Sequence, residues 1–595
     1  MPTILHRLNQ WAETSPQAPA QKYKENGEWK TITAREFRDR VYYLALFLES
    51  RGIGPSDVGT VFSINCAEWV HMDMAYLLIG AKSAGIYPNS TAKDVLYVLD
   101  HTESKVFSVR GKQSFKKITG DDGKFNFPER ISLIVVFDGD TSLSTNAVSY
   151  EAAVAEGKKL ASVKSSKKMK DYLSKIDPKA PSIMIYTSGT TGNPKGALLS
   201  HDNLVFTSDL AIDYWKITGK GGEMFSFLPL CHVAEKLQTV GVGISGHFTV
   251  SYATSFENVS KELPEVQPNV LLCVPRLWEK MMEGVQNKLS RATGAKKVMA
   301  DWALAVGARV AAAKYAGKTP NPLDVAQLVV ANKLVIGKIR HALGLARATT
   351  VASGAAPLPA VVSRWFRSIG IEILEDFGQT ESTGVICMTE PGVESAGTVG
   401  KPLPGTEFRL AEDGEILTKG RHVFVGYFKD KESTDKCLVG GWLATGDLAE
   451  VTPAGLIRIK GRKKEILKTS GGKMIAPAPI EELLKTGPMI SQAVLVGDNR
   501  KYLSALFTLS EATLEDYKKR VGANGRIVTD ESIVSAIGKH VEQVNRDLAS
   551  YEQVKKFTVL ANEFSIAEGE MTPTLKMKRN IIETHYRDVI DSMYT

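Results

Sequence analysis

Between Ile185 and Gly196 the chain reads IYTSGTTGNPKG, and the residue types in that stretch suit one kind of chemistry. Small residues let backbone N–H groups converge on an anion, the hydroxyls of Thr187, Ser188, Thr190 and Thr191 add donors, and Lys195 adds a positive charge. That combination describes a phosphate cradle. It is not the GxxxxGK[ST] loop, because Pro194 stands five positions after Gly189 and Gly196 follows Lys195, so a P-loop NTPase mechanism loses its main support. The residues alone also leave a flexible polar turn open, since Gly, Ser, Thr and Asn dominate ordinary loops too. Covalent catalysis by a protein nucleophile finds no support: there is no GxSxG elbow, and Cys231 beside His232 is not a convincing thiol–base pair.

The elements that must position this loop follow from hydrophobic patterning. SIMIY, just ahead of it, is a short apolar strand, so the loop leaves a strand end. Apolar bursts at LIVVFDGD, PSIMIYTS, EMFSFLPL, NVLLCVP and RATTVASGAAP each end in turn or small polar residues, with helical stretches between them. Such repetition predicts an α/β fold with doubly wound sheets, in which ligand sites collect at the carboxyl ends of strands. Upstream, Thr33 and Glu36 form a capping box that opens a helix to about Arg51, Gly52 stops it, and the strand GTVFSIN follows. Ile4, Leu5, Leu8 and Trp11 share one face of an N-terminal helix whose polar interruptions distinguish it from a signal peptide.

Beyond Gly461 the pattern changes to a compact α+β unit, with strands at QAVLVGD, YLSALFTL and VKKFTVLA and helices around Ile480–Leu484, Ser532–Leu548 and Arg579–Met593. The boundary falls at Arg462 to Lys464, giving a large N-terminal domain, 1–462, and a small mobile C-terminal domain, 463–595.

At 595 residues and 43% hydrophobic the chain can build several cores. Its net charge of +8, from 74 basic and 66 acidic residues, suits an anionic small molecule or a membrane face and points away from nucleic acid. Cys66, Cys231, Cys273, Cys387 and Cys437 include no CxxC pair, which argues against a zinc site or disulfide framework and for the reduced cytosol. Lys158 to Lys179 holds eight lysines against two aspartates and reads as a solvated linker or exposed helix. The stretch nearest in character to a membrane span, LDVAQLVVANKLVIGKI, is interrupted by two lysines and an asparagine, so a soluble chain with at most peripheral membrane contact is expected.

TSGTTGNPKG closely resembles the phosphate-binding motif of the AMP-forming adenylating superfamily of acyl-CoA synthetases, peptide-synthetase adenylation domains and beetle luciferases. Further motifs follow in that family's order: FLPLCHVAE (Phe227–Glu235), SGAAPLP (Ser353–Pro359), EDFGQTES (Glu375–Ser382), WLATGDL (Trp442–Leu448), IKGRKKEILKTSGGK (Ile459–Lys473) and TPTLKMKR (Thr572–Arg579). An ordered series over most of the chain is far more specific than one motif.

The resemblance implies ATP-phosphate binding by Thr187, Ser188, Gly189, Thr190, Thr191, Gly192 and Lys195. It implies that Glu381 holds Mg²⁺, that Thr380 contacts the α-phosphate, and that Lys576 neutralises the charge as a carboxylate attacks the α-phosphorus. Gly354, Ala355, Ala356, Asp376, Phe377 and Gly378 would surround the adenine; the family usually has tyrosine where Phe377 stands, so a ring remains for stacking but a hydroxyl is lost. Asp447 would accept the ribose hydroxyls, Arg462 would hold the nucleotide from the other side, and Lys464 aligns with the family's hinge. Gly471 and Gly472 would line the passage for coenzyme A, which brings its own thiol, and His232 would sit beside the acyl pocket.

PNVLLCVPRLWEK (Pro268–Lys280), SYATS and GGKMIAPAPIE look most like long-chain and bubblegum-type fatty acyl-CoA synthetases, and no aspartate for an amino acid substrate stands in TVSYATS. Trp278 aligns with an aromatic gate to the acyl tunnel of some long-chain enzymes, or is a plain core tryptophan. The expected activity is conversion of a medium-to-long-chain fatty acid to its adenylate and then to acyl-CoA, with ATP, Mg²⁺ and coenzyme A, in the cytoplasm or peripherally at the inner membrane face. A homodimer is compatible with the reading. A ligase delivering the acyl adenylate to a carrier protein, and a kinase or phosphate-binding regulator using the same cradle, are the alternatives.

Overall fold

The computed structural model describes residues 2–110, 119, 125, 127–163, 167–187, 193–217, 221–487, 489–522, 525–572 and 576–595. Its contacts divide the chain into two units: Met1–Thr187, Pro194–Phe408 and Thr418–Leu443 form the first, and Ser188–Asn193, Arg409–Leu417 and Ala444–Thr595 the second. The long segment of the second unit begins at Ala444, and the Arg462–Lys464 boundary expected from sequence lies within it.

Within the first unit, each apolar burst is a strand. One sheet runs in the order Gly426–Tyr427, Lys195–Ser200, Pro181–Thr187, Lys82–Ile86, Val58–Phe62, Val106–Val109, Leu133–Val136, Ala147–Ser149. Pro181–Thr187 and the strands after it in that order pair in parallel, while Lys195–Ser200 returns antiparallel from the loop. Ile183, Met184 and Ile185 are all buried, as expected for a parallel strand covered on both faces. A second sheet carries Ile373–Phe377, Thr350–Ser353, Val270–Cys273, Glu223–Ser226, Thr249–Tyr252 and Pro19–Glu25 in parallel, with antiparallel strands at both edges. The fold is thus α/β with two largely parallel sheets in the large unit.

The helices between them are built as their sequences require. Thr33 Oγ1 accepts the Glu36 N–H and the Glu36 side chain returns to Thr33, opening the helix Ala34–Ser50, and Gly52, at φ 76°, follows its end. Ile4, Leu5, Leu8 and Trp11 are the buried face of Ile4–Thr14. Of the two forms expected of the lysine-rich segment it takes the helical one: it contributes the end of the helix Tyr150–Val163 and the helix Lys167–Lys175, which buries Tyr172 and Leu173 and pairs Lys168 with Glu49 at 2.8 Å.

In the second unit, Ile490–Val496 pairs antiparallel with Leu503–Leu509, which pairs in parallel with Val554–Leu560. Helices Pro477–Leu484 and Glu531–Asn545 bury Ile480, Leu484, Ile533, Ile537 and Val541 in the same apolar cluster as Ala493, Leu495, Ala505 and Phe507. The helix expected over Arg579–Met593 is broken at Tyr586 into Arg579–His585 and Arg587–Ser592.

Candidate active site

The glycine-rich loop begins and ends on facing strands. Thr187 and Lys195 are cross-strand partners, and Thr187 Oγ1 donates to the Lys195 carbonyl at 3.3 Å. Ser188, Gly189, Thr190, Thr191 and Gly192 lie outside the described residues. Lys195 Nζ donates to Ser433 Oγ at 2.5 Å, lies 3.7 Å from Asp430 Oδ2, and sits 5.3 Å from the centre of the Tyr427 ring. The Ser433 backbone N–H and hydroxyl, with Lys195 beside them, hold the Asp430 carboxyl below its usual range.

Tyr427 connects that lysine to a carboxylate. The short strand Gly426–Tyr427 pairs with Lys195–Ser200, placing Tyr427 opposite Ala197. From there the phenol donates to Glu381 Oε1 at 2.5 Å, and the Phe424 N–H donates to the Glu381 carbonyl at 2.9 Å. Thr380, buried, and Glu381, half-buried, lie in the tight turn Thr380–Ser382. Thr383 follows in the left-handed region at φ 53° and donates to the His422 carbonyl at 2.7 Å. Lys195, Tyr427 and Glu381 thus converge from three segments of the first unit.

Among the described residues no group of three or more His, Cys, Asp or Glu could hold a metal. The half-buried Glu381 carboxylate would suit Mg²⁺ only beside bound phosphates, since that ion keeps water and phosphate oxygens as most of its ligands.

SGAAPLP and EDFG meet as neighbours because their strands, Thr350–Ser353 and Ile373–Phe377, pair in parallel with Ser353 opposite Glu375. A Cβ on Gly354 would lie 2.0 Å from Asp376 Oδ1, so any side chain at 354 would have to displace that carboxylate. Ala355 holds φ 70°, a left-handed conformation that costs an L-residue about 1 to 2 kcal/mol. Beyond it Ala356 is exposed, and the Leu358 N–H returns to Glu375 Oε2 at 3.4 Å. Burial pushes the Glu375 carboxyl up to about 8 and the Asp376 carboxyl up to about 7. Phe377 is half-buried with its carbonyl accepting the Ile386 N–H at 2.6 Å, and a Cβ on Gly378 would lie 2.3 Å from the Gly384 carbonyl oxygen.

His232 caps the short helix Val233–Glu235, its Nδ1 accepting the Ala234 N–H at 3.2 Å. The segment is clamped from behind. Buried Glu235 accepts from Ser226 Oγ at 2.5 Å and Thr239 Oγ1 at 2.7 Å, while Asn65 accepts the Leu230 N–H at 3.0 Å and donates to the Leu228 carbonyl at 2.6 Å. Lys236, also buried, pairs with Asp73 at 2.7 Å and covers the Trp69 ring at 4.3 Å. Trp278, on the helix Pro275–Ser290, is fully buried and meets Phe366 edge-on at 5.1 Å between ring centres.

The remaining candidates belong to the second unit. Asp447 and Arg462 face each other across the strands Trp442–Val451 and Ile457–Arg462, with Arg462 Nε 3.0 Å from Asp447 Oδ1. Asp447 is buried and Arg462 exposed. Lys464 is exposed in the turn Lys463–Glu465, which Lys463 anchors to Asp413 at 2.5 Å and Glu415 at 2.9 Å. Gly471 and Gly472 are the exposed tip between Leu467–Lys468 and Met474–Ile475, Gly472 at φ 78°. Lys576 is exposed, its backbone tied to Thr572 by bonds of 2.8 and 3.0 Å, and nearby Arg579 is anchored to Glu481 at 2.7 Å.

Three participants were not singled out from sequence: Tyr427, Asn65 and the carboxylate of Glu235. Glu235 stood inside a motif, but nothing in its spacing marked it as buried, and the groups that Tyr427 and Asn65 bind lie far along the chain.

Residues 8–428 match the family described as AMP-binding enzyme, and residues 464–595 match AMP-binding enzyme C-terminal domain. The chain is similar to the long-chain-fatty-acid–CoA ligase FadD15 of Mycobacterium bovis, 32% identical over 577 residues that cover 96% of this chain and 93% of the relative. It is also similar to the long-chain-fatty-acid–CoA ligase ACSBG2 of Xenopus laevis, 31% identical with coverage of 96% and 81%. Among solved structures it resembles the adenylation domain of a carboxylate reductase from Mycobacterium chelonae, with TM-score 0.72, 20% identity and coverage of 100% and 91%. It resembles O-succinylbenzoate coenzyme A synthetase from Bacillus subtilis, in complex with AMP, with TM-score 0.67, 19% identity and 98% coverage of each chain. The two matched regions together take in both units, and the chain belongs to the AMP-binding enzyme family.

Proposed function

We propose that this enzyme activates a medium-to-long-chain fatty acid with ATP, releasing pyrophosphate, and then transfers the acyl group to coenzyme A. The observation that carries the reading is the convergence of Lys195, Tyr427 and Glu381 beside the glycine-rich loop, in a chain whose curated relatives are named long-chain-fatty-acid–CoA ligases.

In the first half-reaction a carboxylate oxygen bonds to the α-phosphorus of ATP and the bond to the bridging oxygen of pyrophosphate breaks. Both partners are anions, so the protein's work is alignment and neutralisation. Lys195 and the loop amides bind the leaving phosphates, Thr380 contacts the α-phosphate, and Lys576 supplies the cation at the reacting oxygens. When bound at Glu381, Mg²⁺ withdraws charge from the phosphates. Gly354, Ala355 and Phe377 shape the adenine edge and Asp447 takes the ribose hydroxyls. In the second half-reaction the thiolate of coenzyme A attacks the acyl carbonyl and AMP leaves. Lys464 is the hinge of a change of pose that brings Gly471 and Gly472 to the pantetheine passage and withdraws Lys576. The site needs no protein nucleophile: burial pushes the Cys231 thiol upward, out of reach of a reactive thiolate at neutral pH.

Incubation with ATP, Mg²⁺, a long-chain fatty acid and coenzyme A tests the assignment. It predicts AMP, pyrophosphate and acyl-CoA in equal amounts. ADP, or no nucleotide turnover, contradicts acid activation, and an acyl adenylate that coenzyme A does not consume points instead to a carrier-protein acceptor.

A further inference from the structure

The helix Pro322–Ala331 is apolar on two sides, and its polar side chains are tied up in a surface ion pair: Asp324 accepts from Arg309 Nε at 3.1 Å and Nη2 at 2.7 Å, and Gln327 Oε1 accepts from the same guanidinium at 3.4 Å. Leu328 and Val335 pack against the first unit's core, and Ala331 and Ile336 are buried. The opposite face carries Leu323 (63% exposed), Val325 (44%), Val329 (69%) and Val330 (50%), and Leu334 (42%) extends it along the π-helical continuation Asn332–Ile336. A helix on a water-facing surface normally presents polar side chains on its outer face. Scattered exposed aliphatics are ordinary, but a continuous strip along one helix marks a contact surface.

The charge around the strip identifies what it contacts. Lys314 and Lys318 are exposed shortly before the helix, and Lys333 and Lys338 are exposed at its far end. Between Trp302 and Arg340 the sequence has one acidic residue, Asp324, and it is consumed by Arg309. An apolar strip with exposed lysines before and after it, its one own carboxylate paired, is complementary to an anionic bilayer surface. A second copy presents the same positive rim and is repelled. No described helix is long and apolar enough to cross a membrane, so the contact lies in the surface plane.

We infer that Pro322–Ile336 docks the chain on an anionic lipid surface, with Leu323, Val325, Val329, Val330 and Leu334 entering the boundary between headgroups and acyl chains and Lys314, Lys318, Lys333 and Lys338 meeting the phosphates. This rests on the surface alone and holds whatever acid the active site takes.

The test is sedimentation of the full chain with vesicles of phosphatidylcholine, with and without phosphatidylglycerol, over a range of salt and without ATP. Wild type binds the anionic vesicles, more weakly as salt rises. Val329→Ser/Val330→Ser/Leu334→Ser and Lys318→Gln/Lys333→Gln/Lys338→Gln each weaken binding about tenfold or more. Lys158→Gln/Lys159→Gln, in the other lysine-rich segment, does not. Far-UV circular dichroism of these surface variants matches wild type. Absence of vesicle binding, binding indifferent to the strip variants, or loss with the Lys158/Lys159 variant alone overturns the proposal. So does concentration-dependent dimerisation that the apolar triple variant abolishes, which assigns the strip to a second copy.

Discussion

The phenol of Tyr427 donates to Glu381 Oε1 at 2.5 Å, and the same ring lies under the Lys195 ammonium at 5.3 Å. One aromatic residue therefore fixes the orientation of the carboxylate proposed for Mg²⁺ and backs the cation proposed for the leaving phosphates. A hydrogen bond to a charged acceptor contributes about 1.5 to 3 kcal/mol, enough to hold one rotamer of an otherwise mobile glutamate.

Tyr427→Phe keeps the ring under Lys195 and removes the bond. Acid-dependent ATP–pyrophosphate exchange is expected to fall about tenfold or more, with a higher Mg²⁺ requirement and a melting temperature lower by about a few degrees at most. Exchange indistinguishable from wild type at limiting Mg²⁺ contradicts a role for the phenol in placing Glu381.

Glu235 gives a prediction in pH. Burial raises its carboxyl from 4.5 to about 7 despite bonds from Ser226 and Thr239. The folded chain keeps this proton where the unfolded chain loses it. Between those values the folded state binds more protons, so this group's contribution to stability falls as pH rises and levels off above about 7. Glu235→Gln carries no such proton. Its stability relative to wild type should therefore rise by about 3 kcal/mol from acid to neutral pH, measured by denaturant unfolding. A pH-independent difference means that Glu235 is ionised in the fold.

The Lys236–Asp73 pair is buried on both sides, with desolvation lowering the lysine's pKa. Lys236→Met strands the Asp73 carboxylate and is expected to destabilise by about 3 to 5 kcal/mol. Adding Asp73→Asn should recover most of that loss. A double variant no more stable than the single one shows that packing of the lysine stem, not the charge, is what matters.

How much of this could be read from sequence depended on how far apart the interacting residues lie. The capping box of Thr33 and Glu36, the strand ahead of the glycine-rich loop and the buried face of Ile4–Thr14 follow local rules of period and capping, and the structure has them as expected. Thr380 and Glu381 could be named from sequence because their motif is contiguous. Tyr427 was not: its strand has two residues, and only pairing with Ala197 aims it at Glu381. Asn65 likewise acquires its role from residues more than a hundred positions away, which no local pattern encodes. The apolar stretch from Leu323 to Ile339 stood out in composition, but which of its faces meets water is a tertiary property.

The sharpest measurement separates the two half-reactions in Lys576→Ala. ATP–pyrophosphate exchange by wild type should depend on the fatty acid and not on coenzyme A. The variant should lose about a hundredfold or more of that exchange while converting supplied acyl adenylate to thioester within about threefold of wild type. Exchange that ignores the fatty acid, or equal loss of both half-reactions in the variant, contradicts the account.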